Sequence, residues 1–215
     1  PLLKGKDINK WQILYKKLYL IHSYDGLDIK EEYPFIYEFL STFEERLKKR
    51  SDQGREWYNL RACTYDNLFE KEKIIYGEMS PEPHFTYDNG KYYLANTAYL
   101  ISSEKINLKY LLGLLNSKLL FWMFKHISYS LGKSSLRFIK TFVEQLPIIV
   151  ENDKIEDVVD VVDKILFYSN KDNFDDLNKD NQNEKIKQFT EDLDNLIYKI
   201  YNLDSEEINI IEESF

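Results

Sequence analysis

The chain has 215 residues, 43% hydrophobic and 15% aromatic with 17 Tyr and 13 Phe, enough apolar matter for a real core, which argues against global disorder. No stretch approaches a membrane span, since the most apolar one, Tyr110–Phe124, is broken by Gly113, Asn116, Ser117 and Lys118. The net charge of −8 is an average over unlike parts: residues 1–150 carry 22 basic and 18 acidic side chains, residues 151–215 carry 7 and 19. Such asymmetry points to a nucleic-acid face on the first part and a solvated or protein-facing second part.

The chain opens Pro1-Leu2-Leu3-Lys4, with neither an initiating Met nor the charged-then-apolar order of a signal peptide, and is expected to be a piece of a longer protein. The lone Cys63 fits a reducing cytoplasm and reads as a buried small hydrophobe. Ile8–Leu20 is ambiguous between helix and strand, with Leu18–Ile21 a candidate strand. Tyr33–Lys49 predicts one helix with Phe35, Ile36, Phe39, Leu40, Phe43 and Leu47 inward and Pro34 in its first turn.

Strand character then prevails over Trp57–Ser102. Glu72–Glu78 is a strand, Phe85–Tyr87 and Tyr92–Leu94 form a hairpin across Asn89-Gly90, and Thr97–Ile101 continues it or forms the next strand. Leu108–Lys125 predicts a helix buried on several sides. Pro147 and the acidic Glu151-Asn152-Asp153 place a boundary near 150, dividing residues 1–150 from residues 151–215. Beyond it come amphipathic helices over Ile155–Tyr168 and Glu184–Tyr201, a short one over Ser205–Glu213 capped by Ser205, and an Asn/Asp/Lys-rich loop over Asn170–Asn183. The expected fold class is α+β: a mixed α/β domain with antiparallel strands and a buried helix, followed by a C-terminal helical bundle or hairpin.

Catalytic signatures are missing from the sequence. His22, His84 and His126 lie far apart, with no HxxxH or CxxC spacing, and there is no glycine-rich phosphate loop and no GxSxG elbow. Asp28-Ile29-Lys30 lacks the upstream acid of a nuclease triplet, and Asn-Pro-Pro-Tyr is absent, so any chemistry is expected elsewhere in the polypeptide.

Cations and aromatics meet in two segments. Glu45–Arg61 holds Arg50, Gln53, Arg55, Trp57, Tyr58 and Arg61 around Gly54. Arginine forks grip phosphate or read guanine, and Gln reads adenine. Lys125–Lys140 holds Lys133, Ser134, Ser135, Arg137 and Lys140 without an acid, which suits phosphate clamping or groove reading. Lys6 and Lys10 form a weaker third candidate. The plain alternative for each segment is an ordinary polar surface loop, with Trp57 in the core.

These segments also carry a resemblance. Lys4-Gly5-Lys6-Asp7-Ile8 followed by Trp11, Tyr33-Pro34, Arg50-x-Asp52-x-Gly54 leading to Trp57-Tyr58-x-Leu60-Arg61, and Lys73-Ile74-Ile75-Tyr76 resemble the TaqI-like C-terminal specificity domains. Tyr110–Lys118 and Val143–Ile148 are similar to that family's "YLLGiLNSk" helix and closing "LPI". The tail, Leu193-Asp194 to Glu207-Ile208, resembles the ending of type IIG restriction–modification chains. The resemblance implies a target-recognition module that selects double-stranded DNA for an adenine methyltransferase and an endonuclease in the same cytoplasmic polypeptide. S-adenosylmethionine and Mg would then serve the parent enzyme and not this portion. The resemblance gives regions and not single contacts; the basic and aromatic segments above supply the candidate DNA-binding set Lys6, Lys10, Arg50, Gln53, Arg55, Trp57, Tyr58, Arg61, Lys133, Ser134, Ser135, Arg137 and Lys140. The competing expectation is a protein-interaction module docking through Ile155–Phe215.

Overall fold

Short apolar pairs near the start of the chain form strands: β1 (Leu2–Leu3), β2 (Ile8–Asn9) and β3 (Gln12–Ile13). β2 and β3 are antiparallel with Asn9 opposite Gln12, so Lys10 and Trp11 make a two-residue turn. Trp11 takes a left-handed φ of 65°, a strain of about 1–3 kcal/mol for a bulky residue. Burial of the indole and a 3.1 Å bond from the Trp11 backbone N–H to the Phe85 carbonyl hold it there. Residues 18–21, a candidate strand, lie outside any strand. The structure is a computed structural model that describes residues 1–129, 135–170, 173 and 179–215. These residues form two compact units, one of residues 1–18 and 68–215, the other of residues 19–67.

In the smaller unit α1 (Ile29–Glu32) comes first, and α2 (Pro34–Ser41) and α3 (Glu44–Leu47) replace the single helix expected over Tyr33–Lys49. At the break the Ser41 and Thr42 hydroxyls donate to the carbonyls of Tyr37 (2.8 Å) and Phe39 (2.7 Å), local bonds that compete with the helix ladder. Ile36, Tyr37 and Leu40 pack on Leu27, Ile29, Trp57 and Tyr58. Phe35, Phe39 and Phe43, expected inside, are exposed, Phe35 by 85%. The sequence makes α2 apolar nearly all round, but this small unit offers it a core on one side alone.

In the larger unit follow β4 (Glu72–Gly77), β5 (Met79–Ser80), β6 (Thr86–Asn89), β7 (Tyr93–Leu94) and β8 (Ala98–Ile101). β4 is the central strand of three, antiparallel to both β6 and β8. Ile74, Ile75 and Tyr76 are buried in succession because each sheet face meets an apolar cluster. The expected hairpin does not form. Its turn exists, with Gly90 at φ 87° and the Asp88 carboxylate accepting the Lys91 and Tyr92 N–H groups (3.0 and 3.2 Å). The strands then part: β6 pairs with β4, and β7 lies parallel to β1. Asp88 is pinned by the fully buried Lys73 (2.5 Å), so its side chain caps the loop where a tight reversal was expected.

The buried helix is also two: α4 (Leu108–Leu115) and α5 (Lys118–Ile127). Buried Asn116 breaks it by turning its amide onto the Phe85 backbone, donating to O (2.9 Å) and accepting from N (3.2 Å). Ser117 caps α5 by accepting the Leu120 N–H. Leu108 and every residue from Tyr110 to Leu115 are buried, since α4 lies between β4 and β6 on one side and the later helix over Ile155–Ser169 on the other. β9 (Leu136–Arg137) pairs antiparallel with β5, Met79 opposite Arg137, and α6 (Lys140–Val143) follows.

The C-terminal helices are α7 (Ile155–Ser169), α8 (Lys179–Ile200) and α9 (Ser205–Glu212). α8 begins inside the span expected to be a loop. It ends at Ile200 and is closed off by Asn202, whose left-handed φ of 54° lets the Leu203 N–H reach the Tyr198 carbonyl (3.0 Å). Asp204, not Ser205, caps α9, in a reciprocal box with Glu207. The main core runs from Trp11 to Ile211, so helices beyond residue 150 share it with the sheet. The class is mixed α+β, with small antiparallel sheets and C-terminal helices packed together.

Candidate nucleic-acid interface

Residues 50–61 of the smaller unit form a loop held from within. Arg50 donates from Nη2 to the carbonyls of Trp57 (2.8 Å) and Asn59 (2.9 Å) and from Nε to Leu47 (3.2 Å). Gln53 donates its amide to the carbonyls of Lys48 and Arg50. Fully buried Asn59 donates to Tyr24 and Leu27 and accepts from the Glu56 N–H. Tyr58 is buried and Trp57 half-buried in an aromatic cluster with Tyr37. Burial raises the Tyr58 hydroxyl above its ordinary pKa. Arg50 and Gln53 therefore turn toward protein by satisfying the loop's carbonyls, and Trp57 and Tyr58 by packing in the aromatic cluster.

Two arginines of that loop face outward. Arg55 lies 3.6 Å from Asp25, which also accepts the Arg55 backbone N–H (2.6 Å). Arg61 reaches Asp52 at 3.4 Å, with both side chains largely exposed. Cys63, expected buried, is exposed.

In the larger unit Lys6 and Lys140 are exposed, Lys140 being 3.9 Å from Glu144. Ser135 is half-buried, and Lys133 and Ser134 fall outside the described residues. Arg137 stands exposed on β9, with Nε and Nη2 each 2.8 Å from Glu78 Oε1. Lys10 turns inward: desolvation lowers its pKa, opposed by Asp194 and Glu82. Asp194, itself buried, accepts the Lys118 N–H at the start of α5 (2.9 Å), and burial pushes its carboxyl up to about 6. Lys125 lies on the surface against the exposed C-terminal Phe215, its ammonium 3.8 Å from the ring centroid and donating to the Ser214 carbonyl (3.0 Å).

Sequence reasoning did not single out Asp25, Glu78 or Asn59, nor Lys16, Lys17 and Lys91, which line a groove of about 820 Å³ with Tyr15, Tyr87 and Tyr92. No local signal marks them: Asp25 and Arg55 are 30 residues apart, Glu78 and Arg137 59 apart. Among the described residues no group of His, Cys, Asp or Glu could hold a metal ion, and no helix is long and apolar enough to cross a membrane.

Outward arginines thus stand on one loop, Arg55 and Arg61, and on β9, Arg137. Residues 1–148 match the TaqI-like C-terminal specificity domain, and the chain belongs to that family. It is 21% identical to the type II methyltransferase M.BstVI of Geobacillus stearothermophilus over all of this chain and 36% of that protein. It is 24% identical to the type II methyltransferase M.BanIII of Aneurinibacillus aneurinilyticus over 77% of this chain and 32% of that protein. Its fold is similar to that of the type IIL restriction–modification enzyme MmeI, solved in complex with DNA, at a TM-score of 0.59 and 14% identity over 99% of this chain and 30% of that one. The chain thus spans about a third of the length of these relatives.

Proposed function

We propose that the chain reads the sequence of double-stranded DNA and directs the adenine methyltransferase and endonuclease activities of a larger cytoplasmic restriction–modification polypeptide. One observation supports this reading: within a family of specificity domains, Arg55 and Arg61 stand outward on a loop braced by internal hydrogen bonds, and Arg137 stands outward on β9. Arg55, Arg61, Arg137, Lys140 and Lys6 are its DNA contacts, with Lys133, Ser134 and Ser135 on the neighbouring segment. Arg50, Gln53, Trp57 and Tyr58 act by shaping the loop, and Lys10 by neutralising Asp194. The functional division falls near residue 150, where the family match ends and the charge turns acidic. S-adenosylmethionine and Mg belong to the rest of the polypeptide, whose catalytic domains are this module's covalent partners. There the adenine would be flipped out for methylation.

Fluorescence anisotropy with duplex DNA tests the reading. Binding is expected to fall steeply as salt rises, log K against log[salt] having a slope of about −0.9 for each phosphate contact. The exposed aromatic stripe Phe35, Phe39 and Phe43 favours a second reading, a protein contact made by the smaller unit. An apolar interface of that kind would barely respond to salt, and salt-insensitive binding would reject the DNA assignment.

A further inference from the structure

Arg137 differs from the other outward cations in how it is held. Arg55 and Arg61 stand 3.6 and 3.4 Å from their carboxylates and Lys140 stands 3.9 Å from its own. Arg137 makes two 2.8 Å contacts to one oxygen of Glu78, through Nε and Nη2. Those two nitrogens form the side edge of the guanidinium. Its end edge, the outward N–H groups of Nη1 and Nη2, has no partner among the described residues. An arginine has five donors in a rigid planar fork. Fixing the side edge therefore aims the end edge as two parallel donors.

The backbone beneath this pair is also fixed. β5 and β9 form a short antiparallel ribbon in which Arg137 lies opposite Met79, so the two side chains share a face, and both are exposed. The Phe138 N–H donates to the Glu78 carbonyl at 2.7 Å. The buried Phe138 ring stacks on Phe124 at 4.3 Å, with His84 edge-on at 5.2 Å. Both ends of the Arg137–Glu78 pair thus rise from one anchored stretch of ribbon.

We propose that Arg137, oriented by Glu78, reads a guanine in the major groove, and that Glu78 is a positioning residue for this contact. The inference rests on the DNA-reading function proposed above and assigns one contact within it. Two arguments favour a base over a phosphate. The Glu78 carboxylate cancels much of the arginine's charge and would repel a phosphate drawn onto the same site, whereas hydrogen bonding to guanine O6 and N7 needs donors and little net charge. A two-stranded ribbon also fits the major groove, where the exposed thioether of Met79 would meet the neighbouring base pair.

Selection from a randomised duplex pool with the full 215-residue chain, followed by anisotropy on the selected and scrambled duplexes, tests the proposal. Arg137→Lys keeps the charge and loses the fork. It should lose preference at one G·C position, by about tenfold or more, with the other positions, the scrambled-duplex affinity and the salt slope unchanged. Glu78→Ala should lose the same preference while binding scrambled DNA more tightly. A uniform loss on every duplex in Arg137→Ala, with the salt slope reduced by about one and Arg137→Lys restoring it, would make Arg137 a phosphate grip and overturn the proposal while leaving DNA reading intact. Unchanged preferences in all three variants would overturn it as well. Failure of the parent chain to bind any duplex would reject both readings.

Discussion

Lys73 and Asp88 are the residue pair on which the sheet edge depends. Both are buried, and the ammonium also donates to the carbonyls of Phe69 (2.6 Å) and Lys71 (3.3 Å) while Asp88 caps the 88–92 turn. Lys73→Met leaves that carboxylate buried without its cation and should cost about 3–5 kcal/mol in urea unfolding. Removing Asp88 as well should not restore the loss, since the turn's N–H groups then lack an acceptor. Two buried titrating groups oppose each other in acid. His84 accepts the Gly77 N–H at Nε2 (2.8 Å), and burial holds its pKa below the usual 6.5. The unfolded chain therefore binds its proton first, and stability falls as pH drops through that range. Asp194 has the opposite sign: raised to about 6 from 3.8, it contributes stability at low pH that is lost as pH climbs to about 6. Thermal melts between pH 7 and 5 should show a steeper loss in Asp194→Asn than in the parent chain, and a gain in His84→Gln. Parallel curves for the two variants would contradict these assignments.

At the scale of elements, α4 is central because it is apolar on every side and has a partner on every side. Gly113 makes the approach of α7 and α8 close: a Cβ there would lie 3.0 Å from methyl groups of Val158 and Val162 and 3.3 Å from one of Leu193. Those are side-chain ends that can shift by a few tenths of an ångström. Gly113→Ala should be nearly neutral, because about 1 kcal/mol of helix propensity offsets the crowding. Gly113→Leu, which no small shift accommodates, should cost about 3 kcal/mol or more by denaturant titration. The helices over 33–49 and 108–125 read as single because periodicity reports which residues are apolar and is blind to what interrupts the ladder. The interruptions come from polar side chains that find local or distant backbone partners: Thr42 at the Phe39 carbonyl and Asn116 at Phe85.

For the whole molecule, the change in charge near residue 150 and the division of the core do not coincide. Val158, Val162, Ile165, Leu193 and Ile197 are fully buried against the α/β part although they lie in the acidic tail. A chain ending at residue 150 should consequently be aggregation-prone and bind a hydrophobic dye, whereas the 215-residue chain should melt cooperatively; a cooperatively folded 1–150 fragment would contradict this. The sequence by itself determined the α+β class, the strand at Glu72–Gly77, the helices after 155 and the family, because each rests on local periodicity or on an ordered string of motifs. It also named Arg55, Arg61, Arg137 and Lys140, whose side chains the fold leaves exposed. It was blind to whether a cation turns out or in: Arg50 closes on three carbonyls and Lys10 faces Asp194, while Arg137 is aimed by a glutamate 59 residues away. Only the tertiary structure decided those directions, because a side chain's orientation is set by whichever partners the fold brings beside it: carbonyls of the folded-back loop for Arg50, groups from distant elements for Lys10 and Arg137.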